Sequence, residues 1–239
     1  MQAAAIVVAA GQGARLGALV EKPYVPVAGR PLLAWTLEQV GRCRGLAELV
    51  LVVSPTGRVQ AEGLLDAWPA TVPVRLVAGG ATRADSVAAG LRAVRESVEL
   101  VLVHDGVRPL ASAALMEQVL ETAGRWGAAT AGLPLRATVK EVDAAARIVR
   151  TVARDGLWEV QTPQAFRRAV LLAAYAAGYE RGVRATDDAA YVEQLGQEVR
   201  VVPGSVTNIK VTVPDDVVLV DALLQQRERE GLHASRHRV

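Results

Sequence analysis

The sequence predicts an open, doubly wound α/β sheet with an extended β-hairpin arm inserted in it. Three observations carry this reading: short apolar runs that do not alternate, helical apolar faces between them, and a glycine-rich turn directly after the first run. Runs that are apolar on both faces suit strands covered by helices on each side, as in a parallel sheet. Their β-α-β-α order makes that sheet open and doubly wound.

Taken in order, "AAIVVAA" is the first strand, and Pro31 is expected as the first residue of a helix whose Leu33, Leu37 and Val40 share one face. The runs "ELVLVVS" and "VRLVAG" are the next strands. Gly79 and Gly80 then turn the chain into a helix with Val87, Leu91 and Val94 on its inner face, and Thr82 with Asp85 three residues on has the spacing of a capping box. "LVLVHDG" and "AATAGLPL" continue the sheet.

The rhythm fails between Leu135 and Trp158, where "RATVKEVDAAARIVRTVARDG" reads as two alternating strands joined by "DAAA". Val139, Val142, Ile148 and Val152 give this arm some apolar surface, but a two-stranded hairpin is not stable alone, so it requires something to pack on. A helix from about Arg167 to Tyr179, a helix after "ATDD", the strands "EVRVVPG" and "NIKVTV", and a final helix from Pro214 complete the chain. The expected organisation is one domain over residues 1–239 with the arm at about 135–158.

A chain of 239 residues that is 51% hydrophobic can bury a substantial core. Its net charge of +2 and 4% aromatic content argue against a nucleic-acid or membrane surface. Cys43 is the sole cysteine, which excludes an intrachain disulfide or a thiolate metal cluster. No run approaches the ~18 apolar residues of a membrane span, and no charged segment precedes the first strand. The chain is therefore expected to be soluble and cytoplasmic, with its basic tail a solvated helix end.

The stretch "IVVAAGQGARLG" offers a cradle of N–H groups for phosphate oxygens. Gly11, Gly13 and Gly17 place the third glycine one position later than the dinucleotide fingerprint, and the second strand ends in Ser54 and Pro55 where a ribose-binding carboxylate would stand. This weakens a nicotinamide oxidoreductase. A Walker A loop also fails, because no glycine directly precedes Lys22 and no Ser or Thr follows it. What remains is Arg15 and Lys22, two cations for one anion, which suits a reacting triphosphate.

Only three of the 27 lysines and arginines are lysine: Lys22, Lys140 and Lys210. In a chain that otherwise uses arginine, a lysine marks a site that wants a compact point charge. Lys22 and Lys210 lie in motif-like surroundings, whereas Lys140 falls in mid-arm and reads as exposed.

In "VLVHDGVRPL", Asp105 ends an apolar strand at the edge where open α/β folds bind ligands, and it is a candidate Mg2+ ligand. Arg108 is placed to grip a phosphate, although a plain surface Asp-Arg pair would give the same pattern. His104 reads as a packed strand residue, and His233 and His237 have no evident partner. In "GGATRADSVAAGL", capping accounts for Thr82 and Asp85, which leaves Arg83 and Ser86 to carry a nucleotide-binding reading at a helix N-terminus.

In order, the motifs "AAGQGARLG", "KPY", "GGATRADSV", "HDGVRP", "RATVK", "VARDGLW", "QTPQAF", "ATDDA" and "NIKVT" resemble the 2-C-methyl-D-erythritol 4-phosphate cytidylyltransferases of the non-mevalonate isoprenoid pathway. The resemblance covers nearly the whole chain. It implies a Rossmann-like, mostly parallel nucleotidyltransferase fold and a homodimer formed through the arm. It also implies a Mg2+-dependent reaction of CTP with a polyol phosphate that releases pyrophosphate.

By the same resemblance, Arg15 and Lys22 would stabilise charge on the triphosphate, and Ala10, Gly11, Gly13, Gly80, Arg83 and Ser86 would line the CTP site. Asp105, Arg108, Thr138, Arg154, Thr162 and Lys210 would surround the acceptor phosphate or the metal, with Arg154 and Lys210 counted among the catalytic set. Pro23, Gly106, Val107 and Ala137 depart from the family pattern. A ribitol 5-phosphate cytidylyltransferase and a noncatalytic nucleotide-binding regulator are the competing readings.

Overall fold

The computed structural model describes residues 2–11 and 20–236, the last seven of them as main chain only. A seven-stranded sheet forms its centre, built from β1 (Ala3–Ala9), β4 (Leu46–Val53), β5 (Val74–Ala78), β6 (Leu100–Asp105), β7 (Ala128–Pro134), β10 (Trp158–Arg167) and β11 (Arg200–Pro203). Its order is β11-β7-β10-β6-β1-β4-β5. The β1–β4, β1–β6, β4–β5 and β7–β11 pairs are parallel.

The unalternated runs are explained by the two faces of this sheet. Alternate residues of β1, Ala3, Ala5, Val7 and Ala9, join one buried cluster with Leu33, Leu37 and Val40 of α1 (Leu32–Gly41). Met116 and Val119 of α4 (Ala113–Trp126) and Ala61 of α2 (Arg58–Ala67) belong to the same cluster. Ala4 and Ile6 point the other way, into a cluster with Val87 and Leu91 of α3 (Arg83–Ala93) and Leu171 and Ala174 of α5 (Arg168–Glu180). Successive strand side chains alternate faces, so only a strand covered on both sides is apolar throughout.

A third cluster lies beyond the end of the sheet. There α7 (Pro214–Arg236) sets Val220 and Leu224 against Trp35 and against Val25 and Val27, beside the short ladder of β2 (Pro26–Val27) with β3 (Arg30–Pro31).

Two sequence expectations change, and one strand of the sheet was not expected. Pro31 is the N-cap of α1, one position before the first helical residue. The run "NIKVTV" is not a strand: residues 208–213 join no ladder, and Val211 N–H makes a single main-chain bond to Val107 O at 3.0 Å. Its alternation reflects one-sided burial of Val211 beneath α7, which needs no strand neighbour.

The unexpected strand is β10, which lies antiparallel between β6 and β7. Its register shifts between Val160 and Gln164, where the Thr162–Pro163 peptide is cis. Gln161, Thr162 and Gln164 are buried in its middle, so the run carries too many polar residues to read as a core strand.

The arm forms as expected, with β8 (Val139–Val142) paired, among the described residues, only to β9 (Ile148–Val152). Val142, Ile148, Val149, Leu157, Trp158 and Val160 in and beside it are all exposed within the chain.

Helix α3 approaches the sheet through Gly90, where an added Cβ would lie 2.7 Å from Ile6 Cγ2 and 2.9 Å from Val52 Cγ2. Both neighbours are β-branched and stiff. A mid-helix Gly→Ala change ordinarily gains about 1 kcal/mol, but overpacking costs about 1–3 kcal/mol. Gly90→Ala is therefore expected to destabilise the fold by about 1 kcal/mol in urea unfolding, and a net stabilisation would contradict this packing.

Candidate active site

The parallel strands β1 and β6 end side by side, and a cleft of about 590 Å3 opens over their carboxyl ends. It is lined by residues 8–11, Lys22 and Pro23, residues 80–83 with Ser86, Asp105, Val107, Lys210 and Thr212. Of the residues expected at a site, it brings together Ala10, Gly11, Lys22, Gly80, Arg83, Ser86, Asp105 and Lys210. Gly13 and Arg15 lie outside the described residues.

Lys22 is held on a 3-10 turn (Lys22–Tyr24) with Pro23 behind it. Thr82 caps α3 with the complete capping box, Asp85 N–H donating to Thr82 Oγ1 and Thr82 N–H to the Asp85 carboxylate. Ser86 Oγ accepts from Gly80 N–H at 3.1 Å and donates to Thr82 O at 3.0 Å. The glycine turn is thereby tied to the first turn of the helix.

Asp105 is the hub. Its side chain is only 7% exposed, and its oxygens meet Arg83 Nε at 3.0 Å, Lys210 Nζ at 2.8 Å and Arg108 Nε at 3.5 Å. Burial by itself raises the pKa of this carboxyl, but Arg83, Lys210 and Arg108 more than reverse that and hold it well below the usual carboxylate range. The fork of Arg83 also reaches Asp188 Oδ2 at 2.9 Å. Three cations thus share two carboxylates, and one positive charge is left over beside Lys22.

Asp188 was not singled out from the sequence. It is the first residue of α6 (Asp188–Glu193), where "ATDD" reads only as a helix start, and Asp187 is indeed the N-cap. The second carboxylate is wholly buried, takes the Tyr175 hydroxyl at 2.5 Å, and has its own N–H on Gln164 Oε1 at 3.2 Å. A carboxylate in the first turn of a helix already has a local explanation, so no sequence signal pointed to Arg83.

Two expected contact residues stand behind the cleft. Arg108 is mostly buried and donates through Nη1 to Asn208 O at 2.7 Å, which braces it under Asp105. Thr162 Oγ1 accepts from Asp105 N–H at 3.0 Å and lies 3.1 Å from His104 Nδ1, while His104 Nε2 faces Arg108 O at 3.2 Å. A carbonyl only accepts, so Nε2 carries the proton and Nδ1 accepts from the Thr162 hydroxyl. His104 is thus a neutral structural residue, packed as the sequence reading expected.

Thr138 and Arg154 sit apart from the cleft, on the exposed arm, where Arg154 donates to Arg136 O.

The surroundings of Asp105 do not suit it as a Mg2+ ligand, because both its oxygens already face cations. Among the described residues no three carboxylate, histidine or cysteine side chains converge on a point that would hold a metal ion.

Residues 3–226 match the family model of 2-C-methyl-D-erythritol 4-phosphate cytidylyltransferase. The enzyme of that name from Desulforamulus reducens is 40% identical over 224 residues, covering 93% of this chain and 96% of the relative. A bifunctional enzyme IspD/IspF from Desulforudis audaxviator is 45% identical over 221 residues, and there the match takes in 92% of this chain but only 56% of the longer relative. The crystal structure of 2-C-methyl-D-erythritol 4-phosphate cytidylyltransferase from Thermus thermophilus superposes with a TM-score of 0.78 at 37% identity, covering 94% of this chain and all of that one.

Burial pushes the pKa of His104 down to about 4. The neutral form is the one the fold favours, so its contribution to stability is complete above the unfolded value of about 6.5 and is lost as pH falls from there toward 4. In histidine-resolved NMR of the folded protein, the His104 ring signals are expected to stay fixed between pH 8 and pH 5. A titration step of His104 inside that range would contradict the assignment.

Proposed function

The chain belongs to the 2-C-methyl-D-erythritol 4-phosphate cytidylyltransferase family, and from that premise we propose how its residues divide the work. The enzyme is a nucleotidyltransferase of isoprenoid biosynthesis that joins CTP and 2-C-methyl-D-erythritol 4-phosphate to give 4-diphosphocytidyl-2-C-methyl-D-erythritol and pyrophosphate. The observation that supports this division most directly is the cleft at the ends of β1 and β6, where Lys22 and Lys210 join an arginine-carboxylate cluster with positive charge in excess.

In the reaction an oxygen of the acceptor's phosphate attacks the α-phosphorus of CTP. A new P–O bond forms, the bond from that phosphorus to the bridging oxygen breaks, and pyrophosphate leaves with the electron pair. The nucleophile is already an anion, so no general base is needed, which agrees with a neutral, internally bonded His104. Phosphoryl transfer of this kind depends on positioning and charge neutralisation.

In this reading Lys22 and Arg15 stabilise charge building on the triphosphate. Ala10, Gly11, Gly13, Gly80, Arg83 and Ser86 hold the nucleotide, and Lys210 orients the acceptor phosphate. Arg108 and Thr162 act through Asp105 from behind. When bound with the nucleotide, Mg2+ would supply further charge neutralisation, and Asp105, whose oxygens already face Arg83, Lys210 and Arg108, would not be the residue to hold it.

The arm is the dimer contact in the same proposal. Six large apolar residues in and beside it are exposed, and among the described residues its two strands pair only with each other. Packed on a second copy, it brings Thr138 and Arg154 into the neighbouring cleft, and two-fold symmetry makes the exchange reciprocal. No helix among the described residues is long and apolar enough to cross a membrane, and we place the enzyme in the cytoplasm.

The direct test incubates the protein with Mg2+, each nucleoside triphosphate in turn, and either 2-C-methyl-D-erythritol 4-phosphate or ribitol 5-phosphate, and follows pyrophosphate. Release is expected only with CTP and the methylerythritol phosphate. Release only with ribitol 5-phosphate would overturn the acceptor, and none with any pair would overturn catalysis.

The shared site is tested by mixing subunits. Lys22→Ala and Arg154→Ala chains are each expected to lose about a hundredfold or more in turnover. Mixed, they should regain part of the activity, because one composite site in each hybrid dimer is intact. Subunits that demonstrably exchange yet recover nothing would refute the shared site.

A further inference from the structure

Lys22 sits on a turn of only three residues, which is too short to hold a side chain in place by its own main-chain bonds. The residues on either side of it are fastened to another part of the chain. Glu21, directly before Lys22, accepts Ser54 Oγ–H at 2.6 Å on one oxygen and the Thr56 hydroxyl on the other. Tyr24, two residues after Lys22, donates its hydroxyl to Gly57 O at 2.6 Å.

Ser54, Thr56 and Gly57 belong to the loop between β4 and α2, and that loop is itself closed by Gly57 N–H donating to Ser54 Oγ at 2.8 Å. The approach is close: a Cβ added at position 57 would lie 2.8 Å from Glu21 Oε2, 2.8 Å from Tyr24 Cε2 and 2.9 Å from Ser54 Oγ, so it would have to displace these side chains.

We propose that Glu21 is a positioning residue, its carboxylate clamping the Lys22 turn to the Ser54–Gly57 loop so that the lysine is presented to the cleft in one fixed place. This deepens the proposed function and rests on it for its catalytic consequence. Ser54 directly follows β4, at the place where a dinucleotide fold keeps a ribose carboxylate, and here the polar group just past that strand serves the lysine turn instead. The two hydroxyls and the carboxylate form a charge-assisted pair of hydrogen bonds, stronger than neutral ones. A displacement of about 1 Å in such a cation costs up to about a hundredfold in rate.

The scarcity of lysine supplies a readout independent of catalysis. Protein labelled with 13C at lysine Cε should show three lysine signals, for Lys22, Lys140 and Lys210. Lys22→Arg identifies the first. In Glu21→Ala the Lys22 signal is expected to shift or broaden while those of Lys140 and Lys210 stay in place. Turnover should fall about ten- to a hundredfold with KM for CTP within about twofold. Glu21→Gln, which keeps one acceptor oxygen, should recover most of the loss. Added to Lys22→Ala, Glu21→Ala should cost nothing further, because it acts through the lysine.

An unmoved Lys22 signal in a folded Glu21→Ala protein would overturn the clamp, as would a loss that multiplies with that of Lys22→Ala. Normal turnover in Lys22→Ala would instead refute the catalytic reading of the lysine, and the spectrum alone would then decide the clamp. Should Glu21→Ala fail to fold, Thr56→Val removes one donor at the exposed rim of the loop and carries the same spectral expectation.

Discussion

At the end of β6, the middle strand of the sheet, the Asp105 carboxylate is almost wholly out of water and is surrounded by three cations. Arg83 comes from the start of α3, Arg108 from the turn after β6, and Lys210 from the segment that leads into α7. A buried carboxylate repays its desolvation only with close, well-directed partners, and unpartnered cations would repel one another. With Asp188 on the far side of Arg83, Asp105 allows these positive groups to stand together beside the cleft before any ligand arrives.

The same device recurs around the site at different depths. Asp188 takes the far side of the Arg83 fork and is itself held by Tyr175 and Gln164, so the guanidinium is fixed from behind. Thr162 and His104 form a neutral relay that holds the main chain at Asp105 and Arg108. Glu21 holds the turn that carries Lys22. In each case groups outside the open cleft fix a residue or a turn that lines it. A cation ordered in advance stabilises developing charge without the cost of reorganising during the reaction.

The arm follows a different economy. The body of the chain buries its apolar residues in three clusters, two on the sheet faces and one beneath α7. The arm contributes to none of them, and its Val142, Ile148, Val149, Leu157 and Trp158 remain at the surface. Apolar groups collected at the surface of one element are what the proposed contact with a second copy would cover.

What the sequence determined by itself was set by near neighbours. Unalternated runs marked the sheet strands, the Thr82–Asp85 spacing marked the start of α3, and the break in rhythm marked the arm, because periodicity, capping and turn chemistry act over a few residues. The cleft residues were legible because ligands collect at strand ends and helix starts, which are local features too.

Tertiary structure alone decided the rest. It placed β10 in the sheet, since the buried Gln161, Thr162 and Gln164 look unlike a core strand until their distant partners are present. It left residues 208–213 as an unpaired segment, and it set Arg108 and Thr162 behind Asp105. It also gave Asp188 its role, 105 residues along the chain from Arg83. An ion pair or a buried hydrogen bond exists only once folding has excluded water and brought both partners together, so its members carry no mark that their own neighbours in sequence can supply.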